Sequence, residues 1–288
     1  MGIGIADANK GERAAIMPTS RAIGQSTNLV GLPTPLLGSA EFNAHPLPMH
    51  ISGCREMNPN LWEMLSQAEG LAEAGEAFHA YMLAMFGLDP EQRERRKEGQ
   101  TGPRRFRSSF LRLLKGWGYD SNGPEGAVLK GWVESRFGLF PTYHKEAITR
   151  LGGPVWLRYI EEKMSSRFHN NAIHTQLDMM YEFCQWALAA FAAPGRRHLT
   201  LYRGTNSFDE HQIIARLEGR EVLVRLNNLA SFSEDRDVAG CFGDVILTAR
   251  VPTAKIVFFN TLLPVHPLKG EGEYLVIGGE YRATASYF

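Results

Sequence analysis

Three short motifs towards the C-terminal end carry residue types that could do chemistry together. In Leu201-Tyr202-Arg203-Gly204 an arginine ends an apolar run just before a turn residue. A guanidinium placed there could pair bidentately with a phosphate or diphosphate. In Ser231-Phe232-Ser233, strand alternation would send both hydroxyls to one face and Phe232 to the other. Glu271-Gly272-Glu273 leads into the apolar run Tyr274 to Ile277, and the same period of two would aim both carboxylates at one face, about 7 Å apart. Carboxylates that close repel each other unless a cation is near. Each motif alone occurs by chance in many proteins. The ordered set, 28 residues from Arg203 to Ser231 and 42 from Ser231 to Glu273, is far less accidental.

Other chemistries find little support. There is no GxxxxGK[ST] and no strand-linked GxGxxG to cradle a phosphate. The nine histidines form no HExxH, and His169 and His174 are five apart, which is wrong for one helix face, so no metal site is expected. No GxSxG supports a serine nucleophile. Cys54, Cys184 and Cys241 are scattered and odd in number, which argues against a disulfide framework and for a reducing, cytoplasmic setting. Lys+Arg and Asp+Glu are both 31, so no global field favours nucleic acid. No signal-peptide pattern opens the chain, and the longest apolar stretch, Trp186 to Ala193, is too short for a bilayer. A soluble protein without membrane attachment is expected.

These motifs need elements to position them. Residues 1–60 are rich in Gly and Pro. Within them Asn28 to Gly38 and His45 to Ile51 read as extended, turn-rich segments, and the first twenty residues or so read as disordered. A helical region, 61–196, follows. Leu61, Leu65, Ala68, Leu71, Phe78, Met82 and Met85 make one apolar stripe that Gly87 can stop, and Asp89-Pro90-Glu91 looks like the start of another helix. Pieces around Ala127–Phe137 and Val155–Met164 come next. Asn170 or Asn171 can cap a strong helix carrying Ile173, Leu177, Met180, Cys184, Ala187 and Phe191, ended by Pro194-Gly195.

Over 197–288 the period becomes that of strands: HLTLYRG, EVLVRL, LASFS, VILTARV, KIVFF, EYLVI and YRATASYF. Helices followed by strands argue for an α+β fold, with a helical N-terminal part packed on a C-terminal antiparallel β core in one continuous unit.

The order of the three motifs resembles the R-S-E signature of the arginine-specific mono-ADP-ribosyltransferases, in which an Arg, an S-x-S and an E-x-E line one NAD cleft. SFSEDRDVAGCFG and EGEYLVIGGEY are similar to that family's flanks, the second with an apolar strand and a glycine turn after E-x-E. Near the N-terminus, Gln25-Ser26-Thr27-Asn28-Leu29-Val30-Gly31-Leu32-Pro33-Thr34 looks like the start of the bacterial dinitrogen-reductase ADP-ribosyltransferases. The resemblance implies NAD, consumed as substrate, and an arginine of dinitrogenase reductase as acceptor. It also implies that modification switches nitrogen fixation off, with a PII-type signal protein as a regulatory partner.

Carried over residue by residue, the resemblance implies that Glu273 stabilises positive charge at the anomeric carbon. Arg203 holds the diphosphate side of NAD, with Gly204 beside it. Ser231 orients the ribose or Glu273 itself, Ser233 lines the same side, and Glu271 meets the incoming guanidinium. Glu280 lies beyond Gly278-Gly279, which mark a turn or bulge, and should stand outside the site, so that Glu280→Gln is nearly silent. Three other readings stay open. An NAD glycohydrolase would use water as acceptor. A small carbohydrate-active hydrolase could use paired carboxylates but would leave Arg203 without a role. A non-enzymatic RNA-binding or scaffold protein would centre on the basic run.

That run, Arg93 to Lys115, holds nine basic residues with only Glu91, Glu94 and Glu98 as acidic neighbours. It is either a solvated helix face, a docking patch for an acidic partner, or an RNA surface with Phe106, Phe110 and Trp117 for stacking. If it docks an acidic protein, reversing the charge of Arg104, Arg105 and Arg107 should raise KM for the protein acceptor and leave that for NAD almost unchanged. The unmodified enzyme should slow with added salt. Steady-state kinetics against both substrates will decide, and indifference to both changes reduces the run to a solvated face.

Overall fold

The computed structural model describes residues 24–88, 108–165, 167–169, 172–206, 212–265, 267–268 and 272–287. The first twenty residues, the Asp89-Pro90-Glu91 cap, Asn170 and Asn171, Glu271 and the basic run as far as Arg107 lie outside them. The α+β expectation holds, with helices first in the chain and an antiparallel sheet after them.

The N-terminal segment departs from the extended chain expected over Asn28 to Gly38. Asn28 Oδ1 accepts from the backbone N–H of Val30 and Gly31, closing a turn. Two short helices follow, α1 (Thr34–Leu37) and α2 (Ala40–Ala44). Pro33 and Pro35 pre-set the backbone for α1, and Ser39 Oγ accepts from Phe42 N–H at 3.1 Å to cap α2. The single stripe expected over Leu61 to Met85 is two helices, α3 (Pro59–Leu65) and α4 (Leu71–Phe86). The chain leaves helical geometry between them, where Gly70 caps α4 in extended backbone, and Met85 is 56% exposed. Gly87, at φ 56°, ends α4 as expected.

Next come α5 (Phe110–Tyr119), α6 (Pro124–Phe137), a small hairpin of β1 (Tyr143–His144) and β2 (Glu146–Ala147), α7 (Pro154–Lys163) and α8 (Ile173–Ala187). A π-helical turn over Leu188–Ala192 continues α8 before Pro194-Gly195. Helix α8 is the centre of the helical layer, and most of its residues are buried, polar ones included. Each of those polar groups is paired to a different neighbour, as burial demands. Glu182 accepts from Ile51 N–H at 2.6 Å and pairs with Arg55, which also covers the Trp62 ring. Asp178 takes Trp132 Nε1 and Arg136 from α6. Gln176 Oε1 accepts from Phe110 N–H, the first amide of α5.

The sheet contains β3 (His198–Thr205), β4 (Gln212–Arg216), β5 (Glu221–Ser233), β6 (Val245–Pro252), β7 (Ile256–Phe259) and β8 (Glu273–Tyr287), with α9 (Arg236–Gly240) between β5 and β6. The order is β4-β5-β3-β6-β8-β7, and β5 also pairs along its length with β8. Strands β3, β6, β8 and β5 therefore close on themselves. The closing contact between β3 and β5 is one register pair, Tyr202 with Ser233. Two of the seven expected runs merge into β5 and two into β8, while β4 has too few apolar alternations to be read from sequence.

Gly278-Gly279, expected to mark a turn or bulge, stay within β8 and lie at a bulge, with Gly279 at φ 108°. The irregularity lies opposite, where Asn227 and Asn228 bulge from β5 between the Leu226–Gly279 and Leu229–Ile277 pairs. A Cβ at Gly278 would lie 1.7 Å from Asn227 O, so only glycine lets the bulge approach. The bulge side chains lock the sheet to the helices. Asn227 bonds Thr142 N–H and Tyr143 O, and Asn228 Nδ2 donates to Lys130 O and Leu139 O. One hydrophobic core runs from Leu37 on α1 to Ala283 on β8. Among the described residues no helix is long and apolar enough to cross a membrane.

Glu280 lies opposite Arg225 in the β5–β8 register and pairs with it at 2.6 Å, both side chains mostly buried. Silence of Glu280→Gln is thus expected for catalysis only. The substitution weakens a largely buried charged hydrogen bond and should cost about 1–3 kcal/mol of stability. A lowered denaturant midpoint with unchanged turnover is the expected result, and a loss of turnover at full stability would count against it.

Candidate functional site

Closure of the sheet at Tyr202 and Ser233 brings the three motifs together. Ser233 faces Tyr202 on β3 and Glu273 on β8, so one row of residues crosses three strands. Arg203 stands next in β3, and Ser231 lies two residues back in β5 on the same face as Ser233. Ser231 is the junction. Its backbone carbonyl accepts from Arg203 Nη1 at 2.7 Å, and its hydroxyl donates to Glu273 Oε1 at 2.9 Å. Arg203, Ser231 and Glu273 are all partly exposed, so the cluster is open to a ligand and still fixed by strands.

Ser233 is placed differently from Ser231. It is buried, and its hydroxyl accepts from Asp235 N–H at 3.0 Å, which ends β5 in a turn leading to α9. Asp235 caps α9 through Asp237 and Val238 N–H. Gly204 serves close packing: a Cβ there would lie 1.9 Å from Ala239 O of α9.

The described part of Glu271-Gly272-Glu273 runs from Gly272 to Glu273. Strand β8 begins at Glu273, and Gly272 takes left-handed backbone at φ 62°. Gly272 is tied to Glu234, whose N–H donates to Gly272 O. Glu234 also accepts from Tyr274 OH at 3.0 Å, and burial together with that carboxylate pushes the Tyr274 hydroxyl well up. Glu271 itself lies outside the described residues.

The sequence reading missed Trp117. Its indole N–H donates to Ser231 Oγ at 2.8 Å. Phe110, Leu113, Leu114 and Trp117 are the buried residues of α5, a spacing of three, four and seven that marks one packed face. That signal was present in the sequence but hidden among basic residues. It also corrects the RNA-stacking option: Phe110 and Trp117 are core residues and offer no ring to a base, while Phe106 lies outside the described residues. Of the basic run, Arg112 sits 3.9 Å from Glu125 and over the Phe168 ring.

Elsewhere, a cleft of about 430 Å³ lies between the Pro46–His50 segment and the end of α8, rimmed by Arg55, Arg196 and Arg197. It includes none of Arg203, Ser231 and Glu273. Among the described residues no group of three His, Cys, Asp or Glu is arranged to hold a metal ion. The described cysteines are free thiols, and burial pushes those of Cys54 and Cys184 up.

Comparison with known proteins bears on the family of the chain. A family model described as dinitrogenase reductase ADP-ribosyltransferase matches residues 27–285. An NAD(+)–dinitrogen-reductase ADP-D-ribosyltransferase of Rhodospirillum rubrum is 68% identical over 266 residues, covering 92% of this chain and 96% of that protein. No solved structure matches the chain significantly.

Proposed function

This chain belongs to the dinitrogenase reductase ADP-ribosyltransferase family, and from that premise we propose that it moves ADP-ribose from NAD to an arginine of dinitrogenase reductase and so regulates nitrogen fixation. The observation that carries the reading is the junction at Ser231, which holds a guanidinium and a carboxylate from two other strands in one partly open cluster. NAD supplies a pyridinium that leaves as neutral nicotinamide, so positive charge develops on the ribose. Glu273 is the group that stabilises that charge, as a carboxylate does under a sugar in glycoside hydrolysis. Ser231 holds Glu273 in position. The guanidinium of Arg203 meets the diphosphate, and Ser233 and Gly204 shape the neighbouring backbone.

Glu271 receives the acceptor. An arginine side chain is cationic at any working pH, so an anion is needed to bind it and to favour its attack. The alternative, NAD cleavage by water, differs only in the acceptor and is separated by the same assay. Labelled NAD with purified dinitrogenase reductase should label that protein, whereas release of free ADP-ribose alone would leave a glycohydrolase.

Two sets of variants test the assignments. Arg203→Lys keeps the charge and loses the bidentate fork, so NAD affinity and turnover should fall with the fold intact. Unchanged NAD kinetics would remove Arg203 from the site. Glu273→Gln should cut both arginine modification and NAD hydrolysis by roughly 10²–10³-fold or more. Glu271→Gln should abolish transfer to arginine and spare slow hydrolysis. Near-normal activity of Glu273→Gln, or arginine transfer by Glu271→Gln, would overturn the roles given to the two glutamates.

A further inference from the structure

We propose that Trp117 is a positioning residue for the reaction, acting on Glu273 through the hydroxyl of Ser231. This rests on the reading of Glu273 as the charge-stabilising group. A serine hydroxyl has one proton to donate and lone pairs to accept, whereas an indole N–H can only donate. With Trp117 Nε1 2.8 Å from Ser231 Oγ, the hydroxyl must be the acceptor in that bond. Its own proton is then directed to the other partner, Glu273 Oε1 at 2.9 Å. The order of donation is therefore fixed as indole, hydroxyl, carboxylate. A serine without the indole could turn its proton elsewhere, and the carboxylate would lose the donor that sets its rotamer.

The indole is well placed to impose this order. Trp117 is 4% exposed, so water cannot replace Ser231 as its acceptor. The ring is held from several sides. Lys130 Nζ lies 5.9 Å from the ring centroid, and is itself buried and bonded to Asn122 Oδ1 and Tyr143 O. Helix α5 is anchored at its start by Gln176 Oε1 on Phe110 N–H and by Ser109 Oγ on Arg112 N–H. The helical layer thus reaches the reacting carboxylate through the indole proton and the Ser231 hydroxyl. A carboxylate that must lie beneath a developing charge loses rate when it drifts, even by distances of about 1 Å.

The test removes the proton and keeps the shape. Replacing Trp117 by β-(3-benzothienyl)alanine exchanges N–H for sulfur in a ring of the same outline, and Trp117→Phe gives a simpler second variant. For both, kcat for arginine modification and for NAD hydrolysis should fall together by roughly three- to tenfold, the scale of one hydrogen bond. KM for NAD should hardly move. In a Ser231→Ala background, the change at Trp117 should cost nothing further, because the path to Glu273 is already cut. A benzothienyl variant with full kcat, or losses at Trp117 and Ser231 that multiply, overturns the relay. If Trp117→Phe fails to fold, the isosteric variant still decides. The function reading fails separately: it falls if the unmodified enzyme does not label dinitrogenase reductase, whereas a relay failure leaves that labelling and the Glu273→Gln loss intact.

Discussion

Burial of α8 is the constraint on which the rest of the molecule depends. A helix enclosed on nearly all sides cannot leave Gln176, Asp178 or Glu182 without partners, because an unpaired buried carboxylate or amide costs several times what its bond returns. Each of the three side chains therefore claims one element. Glu182 holds the segment around Ile51 and Arg55, Asp178 holds α6 through Trp132 and Arg136, and Gln176 holds the first amide of α5. On its other side α8 reaches the sheet, through Tyr181 OH on Ala254 O and Gln185 Nε2 on Ile256 O. The positions of α5, α6 and the edge of the sheet follow from one helix, and with α5 comes the indole that meets Ser231.

The sheet contributes the second half of the geometry. Its closure depends on β5 being long and bent, and the bend comes from the Asn227-Asn228 bulge opposite Gly278. The bulge shifts the β5–β8 register between Leu226 and Leu229, and Ser233 then falls opposite Glu273. Because the same two asparagines bond the backbone of α6, of Leu139 and Thr142 before β1, and of Tyr143 in β1, the register is tied to the helical layer. Slippage of β8 along β5 would break the buried bonds of the Asn227 amide and of Asn228 Nδ2 and is therefore unfavourable.

Much of this was legible in the residues. The change from a 3.6-residue period to a 2-residue period marked the α+β order; Arg203, the Ser231/Ser233 pair and the Glu271/Glu273 pair stood out by type and spacing, and the family resemblance singled out Glu273. What was not legible depended on contacts between distant segments. Gly278-Gly279 read as a turn or bulge without showing which, because the reason for two glycines, the carbonyls of Asn227 and Gly38, lies in other parts of the chain. Trp117 read as a stacking residue because the groups that bury it are on α6 and β5.

Glu273 and Glu280 show how register assigns chemistry within a single strand. Both are partly buried glutamates on β8, and residue type does not distinguish them. At Glu280 the register supplies Arg225, and the carboxylate is engaged in a 2.6 Å ion pair that joins β8 to β5. Its charge is used in holding the sheet together. At Glu273 the register supplies Ser233 directly and Ser231 on the diagonal, whose neutral hydroxyl donates to the carboxylate and orients it. A group meant to stabilise positive charge in a transition state must be held in place before that charge appears, and must keep its own charge while it is held. In the role proposed for Glu273, a hydroxyl that is itself steadied by an indole meets the first of these. The bulge at Asn227-Asn228 lies between the two glutamates in the β5–β8 ladder, and it is the structural feature that lets one strand carry both.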